Sequence, residues 1–327
     1  MDIRKVINRV PVLMDLKEFD ETPGPNCMSY GFEIKPLIDS MKATGLINPP
    51  LVARNREGRF DIVAGYRRIM ALKSMGSENA PCMDLSDSGF SYLELLLINL
   101  YDNIPHRRFN EVEKGMIINR LMLHMSGRDI EKHYMRLLNI RNRKDIDMLK
   151  EIDEFNKTTK DSIASGAISM KTIGLVLELD KSSRAVILKW ILNLRLNFNQ
   201  QLKYIDYIND ISIKENKSAS DIIKEEQFLS IWEDRELNTP QKSKKILELL
   251  SYRRFPLLTR SEKNFAKNIA KLNLPNIVSI WHSPFFEAQD YRLEIVFKDG
   301  MELKKTIDHL ACVENLKNAG DAWREDL

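Results

Sequence analysis

Residues 45–76 read GLINPPLVARNREGRFDIVAGYRRIMALKSMG, and the fold of the first part of the chain turns on them. Leu51-Val52-Ala53-Arg54 and Phe60-Asp61-Ile62-Val63-Ala64 are β-like runs on either side of an Arg56-Glu57-Gly58-Arg59 turn. After Gly65, the residues Ile69, Leu72 and Met75 recur at helical spacing until Gly76. Upstream, Leu37, Ile38 and Met41 do the same between Pro36 and Gly45, so the order is helix, strand, strand, helix. The strand-to-helix junction at Ala64-Gly65 is followed by adjacent arginines, Arg67 and Arg68. Such a junction can hold phosphate. The helix N-terminus exposes N–H groups and partial positive charge, glycine lets an anion approach the backbone, and arginines add charge-assisted forks. An ordinary strand-to-helix corner with a solvated basic face is the other reading of the same residues.

Outward from that stretch, an apolar helix is expected from Tyr92 to Leu100, followed by YDNIPHRRFNEVEK over residues 101–114. There Asp102 stands beside the amide of Asn103, ahead of His106, Arg107 and Arg108, and Asn110 with Glu113 has the spacing of a capping box. An acid, an amide and a basic cluster can serve a metal-bound nucleotide. Taken out of context, a loop capped by Asn110 with a surface charge cluster is the commoner reading of them. From Asn110 to Glu236 there is no proline and the pattern is helical, with breaks expected at Ser126-Gly127, over Thr158–Ser162 and before a start at Ser220-Asp221. Within it, SGRDIEKHYMRLLNIRNRKDIDMLKEID, residues 126–153, has the logic of a helix-turn-helix. Ile130, Tyr134, Leu137 and Leu138 face inward, Asn139-Ile140 makes the turn, and Ile146 and Leu149 pack the second helix. Arg141, Asn142, Arg143 and Lys144 at its start, with Arg128 on the first helix, are the candidate DNA contacts, because a recognition helix enters the major groove by its N-terminal end. Residues 101–150 carry eleven Lys plus Arg against seven Asp plus Glu, a local excess larger than the +3 of the whole chain.

Beyond Pro240, helices are expected over Gln241–Leu250 and Ser261–Leu272, then a strand at Ile277–Ile280. Arg292–Phe297 and Met301–Lys304 around Asp299-Gly300 have the pattern of a tight hairpin. The expected fold class is α+β and predominantly helical, in three parts: an α/β domain over 1–108, an all-α helix-turn-helix domain over 109–236 and a small α+β domain over 237–327. Trp281, Phe285, Phe286 and Tyr291 mark the last as a candidate dimer face. At 327 residues the chain exceeds one small core, and its 43% hydrophobic content is broken by charge well short of a membrane span. Three dispersed cysteines, and a start at Met1-Asp2-Ile3-Arg4-Lys5 without an apolar signal core, point to the cytoplasm.

Three segments together resemble the N-terminal domain of the ParB family of DNA-partition proteins, a ParB/sulfiredoxin-like fold. Gly45-Leu46-Ile47-Asn48-Pro49, Val63-Ala64-Gly65-Tyr66-Arg67-Arg68-Ile69-Met70-Ala71 and Asp102-Asn103-Ile104-Pro105-His106 through Asn110 to Glu113 follow the family's order and spacing without an internal gap. The resemblance implies a CTP-binding pocket. Gly65, Arg67 and Arg68 would cradle phosphate, Asp102 and Asn103 would face Mg²⁺ and phosphates, and Asn48, His106 and Arg107 would complete the nucleotide site. Any weak CTP hydrolysis would depend on Asp102. The departures are Tyr66 for Glu, Met70 for Arg, Asn48 for Gln, Asp102 for Glu, and Pro105-His106 for a Gln-Arg pair. Sulfiredoxin chemistry is excluded, since its reactive Cys falls on Tyr66. A ParB-like nuclease is disfavoured, since no carboxylate cluster suits two metals.

ParB proteins place a helix-turn-helix where Ser126–Asp153 lies, and the resemblance covers roughly residues 1–210. It implies chromosome or plasmid partition by a CTP-gated clamp on double-stranded DNA, a homodimer, a ParA-type ATPase as partner, nucleoid association and no membrane. The rival is a ParB-fold transcriptional regulator or nucleoid adapter that binds no nucleotide.

Overall fold

The computed structural model describes residues 9–19, 23–288, 290–313 and 316; Met1–Lys5 lie outside them. The chain divides into two compact units, 1–178 and 179–327. In the first, strands β1 (Val12–Asp15), β2 (Leu51–Arg54), β3 (Phe60–Ala64) and β4 (Asn79–Asp84) form one mixed sheet in the order β1-β4-β2-β3. Strand β2 pairs antiparallel with β3 and parallel with β4, while β1 closes antiparallel on β4 with Val12 opposite Cys82. Helices α1 (Lys35–Thr44) and α2 (Tyr66–Ser74) take up the expected positions.

Period-two alternation sorts the side chains between two faces. Val52, Phe60 and Ile62 join Met41, Ile69, Leu72 and Cys82 in the core beneath α1 and α2. Ala53 and Val63 join Leu85 and Ile98 on the other face, beneath helix α3 (Tyr92–Asn103).

Helices α4 (Glu111–Met122), α5 (Gly127–Tyr134), α6 (Arg143–Asp153), α7 (Lys157–Ala164) and α8 (Met170–Leu177) follow. Each opens on a polar cap, Asn110, Ser126, Asn142, Asn156 and Ser169, whose side chain accepts the third N–H of its helix. The break expected over Thr158–Ser162 is corrected: those residues lie inside α7, and the chain breaks one turn earlier at Asn156, a stronger cap than the threonines. Helix α4 lies flush on α6, and a Cβ at Gly115 would overlap the carbonyl oxygen of Leu149.

The second unit holds α9 (Lys181–Asn193), α10 (Phe198–Glu215), α11 (Ala219–Ile223), α12 (Glu226–Glu233), α13 (Thr239–Arg254) and α14 (Pro256–Lys271). The start expected at Ser220-Asp221 falls two residues earlier, on the cap Ser218. Strand β5 (Val278–His282) then pairs antiparallel with β6 (Tyr291–Ile295), Val278 opposite Ile295. The hairpin expected around Asp299-Gly300 is corrected. Asp299 caps helix α15 (Gly300–Ala311), its Oδ1 accepting from Met301 N at 3.0 Å and Glu302 N at 2.9 Å. Thr306 and Leu310, one turn apart, supply that helix's buried contacts. The fold is α+β and predominantly helical. Among the described residues no helix is long and apolar enough to cross a membrane.

Candidate functional site

Strand β3 delivers the chain to Gly65, which has φ +94°, a left-handed conformation that only glycine adopts without strain. A Cβ there would stand 3.1 Å from both Cα and Cβ of Pro50, so the glycine is also required for the approach of the two segments. Gly65 offers no side-chain cap to the first turn of α2, where two arginines follow at once.

The arginines point to different partners. Arg68 Nη1 donates to the carbonyl of Asn48 at 2.6 Å, and Nη2 meets Asp102 Oδ2 at 3.3 Å. Asp102 is half-open to solvent, with 41% of its side chain exposed. Arg67 lies over the Phe32 ring at 4.6 Å, donates from Nε to Ser29 Oγ at 3.2 Å and from Nη2 to Glu113 Oε1 at 2.8 Å. Burial lowers the Arg67 pKa, and the nearby positive charge of Arg107 lowers it further.

Glu113 is the hub of this arrangement. Its side chain is 1% exposed, yet Arg107 Nη1 donates to both carboxylate oxygens at 2.6 Å, and the backbone N–H groups of Tyr30 and Asn110 add bonds at 3.1 Å each. Arg107 continues the network. Its Nε donates to Asn103 Oδ1 at 2.8 Å and its Nη2 to the Met28 carbonyl at 2.8 Å, while Asn103 Nδ2 donates to Asn99 Oδ1 at 2.6 Å. Asn99 in turn donates to the Asn26 carbonyl at 2.5 Å, and Asn26 Nδ2 is buried with no hydrogen-bond partner among the described residues. Segment 26–30 also reaches α7, where the Tyr30 hydroxyl donates to Asp161 Oδ1 at 2.8 Å. Burial, then that bond, push the Tyr30 pKa up to about 12.

The structure thus gathers Gly65, Arg67, Arg68, Asp102, Asn103, Arg107 and the carbonyl of Asn48 into one place. His106 is exposed, and only its backbone N–H is bonded among the described residues, to the carbonyl of Asn103 at 3.1 Å. Met70, where the family carries Arg, packs against the apolar core under α2. Glu113, Ser29 and Phe32 were not read from the sequence as site residues. The signal for Glu113 was its company: Val112, Met116 and Ile117 on the same side of α4 are buried, which places an acid on an apolar face.

The helix-turn-helix is α5 and α6. Asn139 supplies its turn with φ +53°, a left-handed position that Asn tolerates better than most residues and that such turns often fill with glycine. Ile130, Tyr134, Leu138, Ile146 and Leu149 are buried as expected; Leu137 is corrected to 40% exposed, since the turn carries it out of the helical register. Arg128, Arg141, Asn142, Arg143 and Lys144 are all exposed. Asn142 Oδ1 is used in capping α6, and Arg143 Nε pairs with Glu131 at 3.0 Å. Behind the turn lies a cavity of about 440 Å³ lined by Lys114, Asn139, Arg141 and Met170 among others.

Comparison with known proteins gives a family match: residues 28–96 match the ParB N-terminal domain. A probable chromosome-partitioning protein ParB of Campylobacter jejuni is 25% identical over 190 residues, covering 58% of this chain and 65% of that protein. One from Chlamydia muridarum is 27% identical over 192 residues, covering 53% and 61%. The chain thus spans less than two thirds of the length of either relative. A solved structure, the C-terminally truncated chromosome-partitioning protein ParB from Caulobacter crescentus complexed with CTP-gamma-S, is 18% identical with a TM-score of 0.26, covering 56% of this chain and 98% of that one. The recognition of the ParB family from the sequence motifs is borne out by the family and relative matches.

Proposed function

We propose that this chain, which carries a ParB N-terminal domain, is a DNA-partition protein whose α/β part binds CTP and whose α5–α6 pair binds double-stranded DNA. The observation that carries the proposal is the convergence of Gly65, Arg67, Arg68 and Asp102, from segments far apart in sequence, on the open first turn of α2. The N-terminal end of α2, which has no side-chain cap, and the Arg67 guanidinium offer positive charge and donors to a phosphate. Arg68 holds Asp102 at only 3.3 Å, so it can exchange that carboxylate for phosphate oxygens. Asp102, exposed at the edge of the cluster, would hold Mg²⁺ together with the phosphates. Mg²⁺, when bound, neutralises phosphate charge. Among the described residues no group of three or more His, Cys, Asp or Glu side chains could hold a metal, so Mg²⁺ fits here only as a partner of the nucleotide. Asn103 serves the site by orienting Arg107, because both ends of its amide are engaged.

For DNA, Arg141, Arg143 and Lys144 project from the start of α6, and Arg128 from α5. Arg143 is exposed enough that a phosphate can replace the half-buried Glu131 carboxylate as its partner. The family resemblance extends the proposal to a homodimer that clamps DNA under CTP control, to nucleoid association and to a ParA-type ATPase as partner. A second reading has its own observation: Met70 is apolar core and His106 is solvent-exposed, so two charges of the family pocket are gone. On that reading the chain is a ParB-fold transcriptional regulator or nucleoid adapter without nucleotide. Fluorescence anisotropy with labelled duplex DNA, alone and with CTP, ATP or GTP plus Mg²⁺, separates them. A change in DNA affinity with CTP alone supports the gated reading. Salt-dependent binding that no nucleotide alters transfers the assignment to the regulator.

A further inference from the structure

We infer that Glu113 is an internal counter-anion of this site, which occupies Arg67 in the unliganded chain and must surrender it to an incoming phosphate. The inference rests on the proposed reading of the site as a nucleotide-phosphate pocket. It follows from an asymmetry between the two guanidiniums that share the carboxylate. Arg107 is 16% exposed, and all three of its nitrogens are bonded: Nε to Asn103, Nη1 to both Glu113 oxygens, Nη2 to the Met28 carbonyl. It is a fixed brace. Arg67 is 31% exposed, and its Nη1 has no hydrogen-bond partner among the described residues. It holds Glu113 through a single nitrogen. Arg67 can therefore turn to a phosphate at the loss of one bond to the carboxylate and the longer 3.2 Å bond to Ser29, while Arg107 keeps the buried carboxylate compensated.

Two further observations fix the direction of the effect. Arg67 and Arg107 converge on the same oxygen, Oε1, so removal of the negative charge leaves two guanidiniums facing each other, an arrangement that calls for an external anion. Glu113 also belongs to the first turn of α4, the helix whose Gly115 lies against α6. Exchange of its partner is thus felt on the helix that packs against the second half of α6, and nowhere in α2 is there an equivalent carboxylate.

The test uses the full chain, with calorimetric titration of inorganic triphosphate and of CTP with Mg²⁺ into wild type, Glu113→Gln and Arg67→Ala at low salt. Glu113→Gln is expected to bind both ligands about tenfold more tightly than wild type, roughly the scale of one lost competing charge. A merely structural carboxylate would give weaker binding when removed, so the sign decides. Equal or weaker binding by a folded Glu113→Gln overturns the inference while leaving the phosphate site intact. Should that variant fail to fold, Arg107→Gln combined with Glu113→Gln keeps the net charge and replaces the ion pair by two amides. Binding at least as tight as wild type is then expected, and a tenfold loss overturns the inference. If wild type and Arg67→Ala bind neither ligand, or bind them identically, the phosphate reading itself falls and the inference with it.

Discussion

Two basic clusters in the first unit are built on opposite principles. Around Gly65, the cations Arg67, Arg68 and Arg107 are held in place by Glu113, Asp102 and backbone carbonyls, and the central carboxylate is buried. At the start of α6, Arg141, Arg143 and Lys144 stand in solvent, and among the described residues only Arg143 has an ion pair, to the half-buried Glu131. The first cluster is preorganised, which suits a small ligand that must be gripped from several sides. The second is adaptable and suits a polyanion whose phosphates recur along a groove. The same side-chain chemistry, with and without partners, gives a braced cluster in one place and an open surface in the other.

That contrast can be broken most severely at Glu113. Glu113→Ala leaves buried guanidiniums uncompensated and is expected to destabilise the first unit by about 3–5 kcal/mol in denaturant unfolding. A loss below 1 kcal/mol would mean the cluster is no more preorganised than a surface. Gly65→Ala adds a left-handed alanine and a Cβ close to Pro50, and a cost of about 1–3 kcal/mol is expected, read by the same unfolding midpoint. Asn110→Ala removes the side-chain acceptor for Glu113 N and is expected to cost about 1 kcal/mol. The smallest stability effect belongs to the other cluster. Arg141→Ala with Arg143→Ala should change stability within about 0.5 kcal/mol, yet lower the slope of log affinity for duplex DNA against log salt by roughly two. An unchanged slope would remove α6 from the interface.

How much of this was legible in the sequence depended on whether one residue had one local explanation. The β2–β3 ladder was readable because Val52, Phe60 and Ile62 alternate about a glycine turn. Strands β1 and β4 were not: VLMD is four residues long and NAPCMD contains Pro81, and they become strands by pairing with each other and, for β4, with β2. Asp299-Gly300 satisfies a hairpin turn and a helix cap equally, and the choice fell to the burial of Thr306 and Leu310, which no local pattern reveals. Glu113 is the instructive case for the site. Its capping-box bonds with Asn110 account for it fully at the level of four residues, and that sufficiency hid the two arginines that reach it from residues 67 and 107.

The central claim, that the Gly65 junction with Arg67 and Arg68 is a nucleotide-phosphate site, is tested most directly by calorimetric titration of CTP with Mg²⁺ into the wild-type chain and into Arg67→Ala. The account predicts saturable binding by the wild type and a loss of at least tenfold in the variant, the scale of one charge-assisted fork. Absence of heat in the wild type, or identical isotherms for the two proteins, would contradict it.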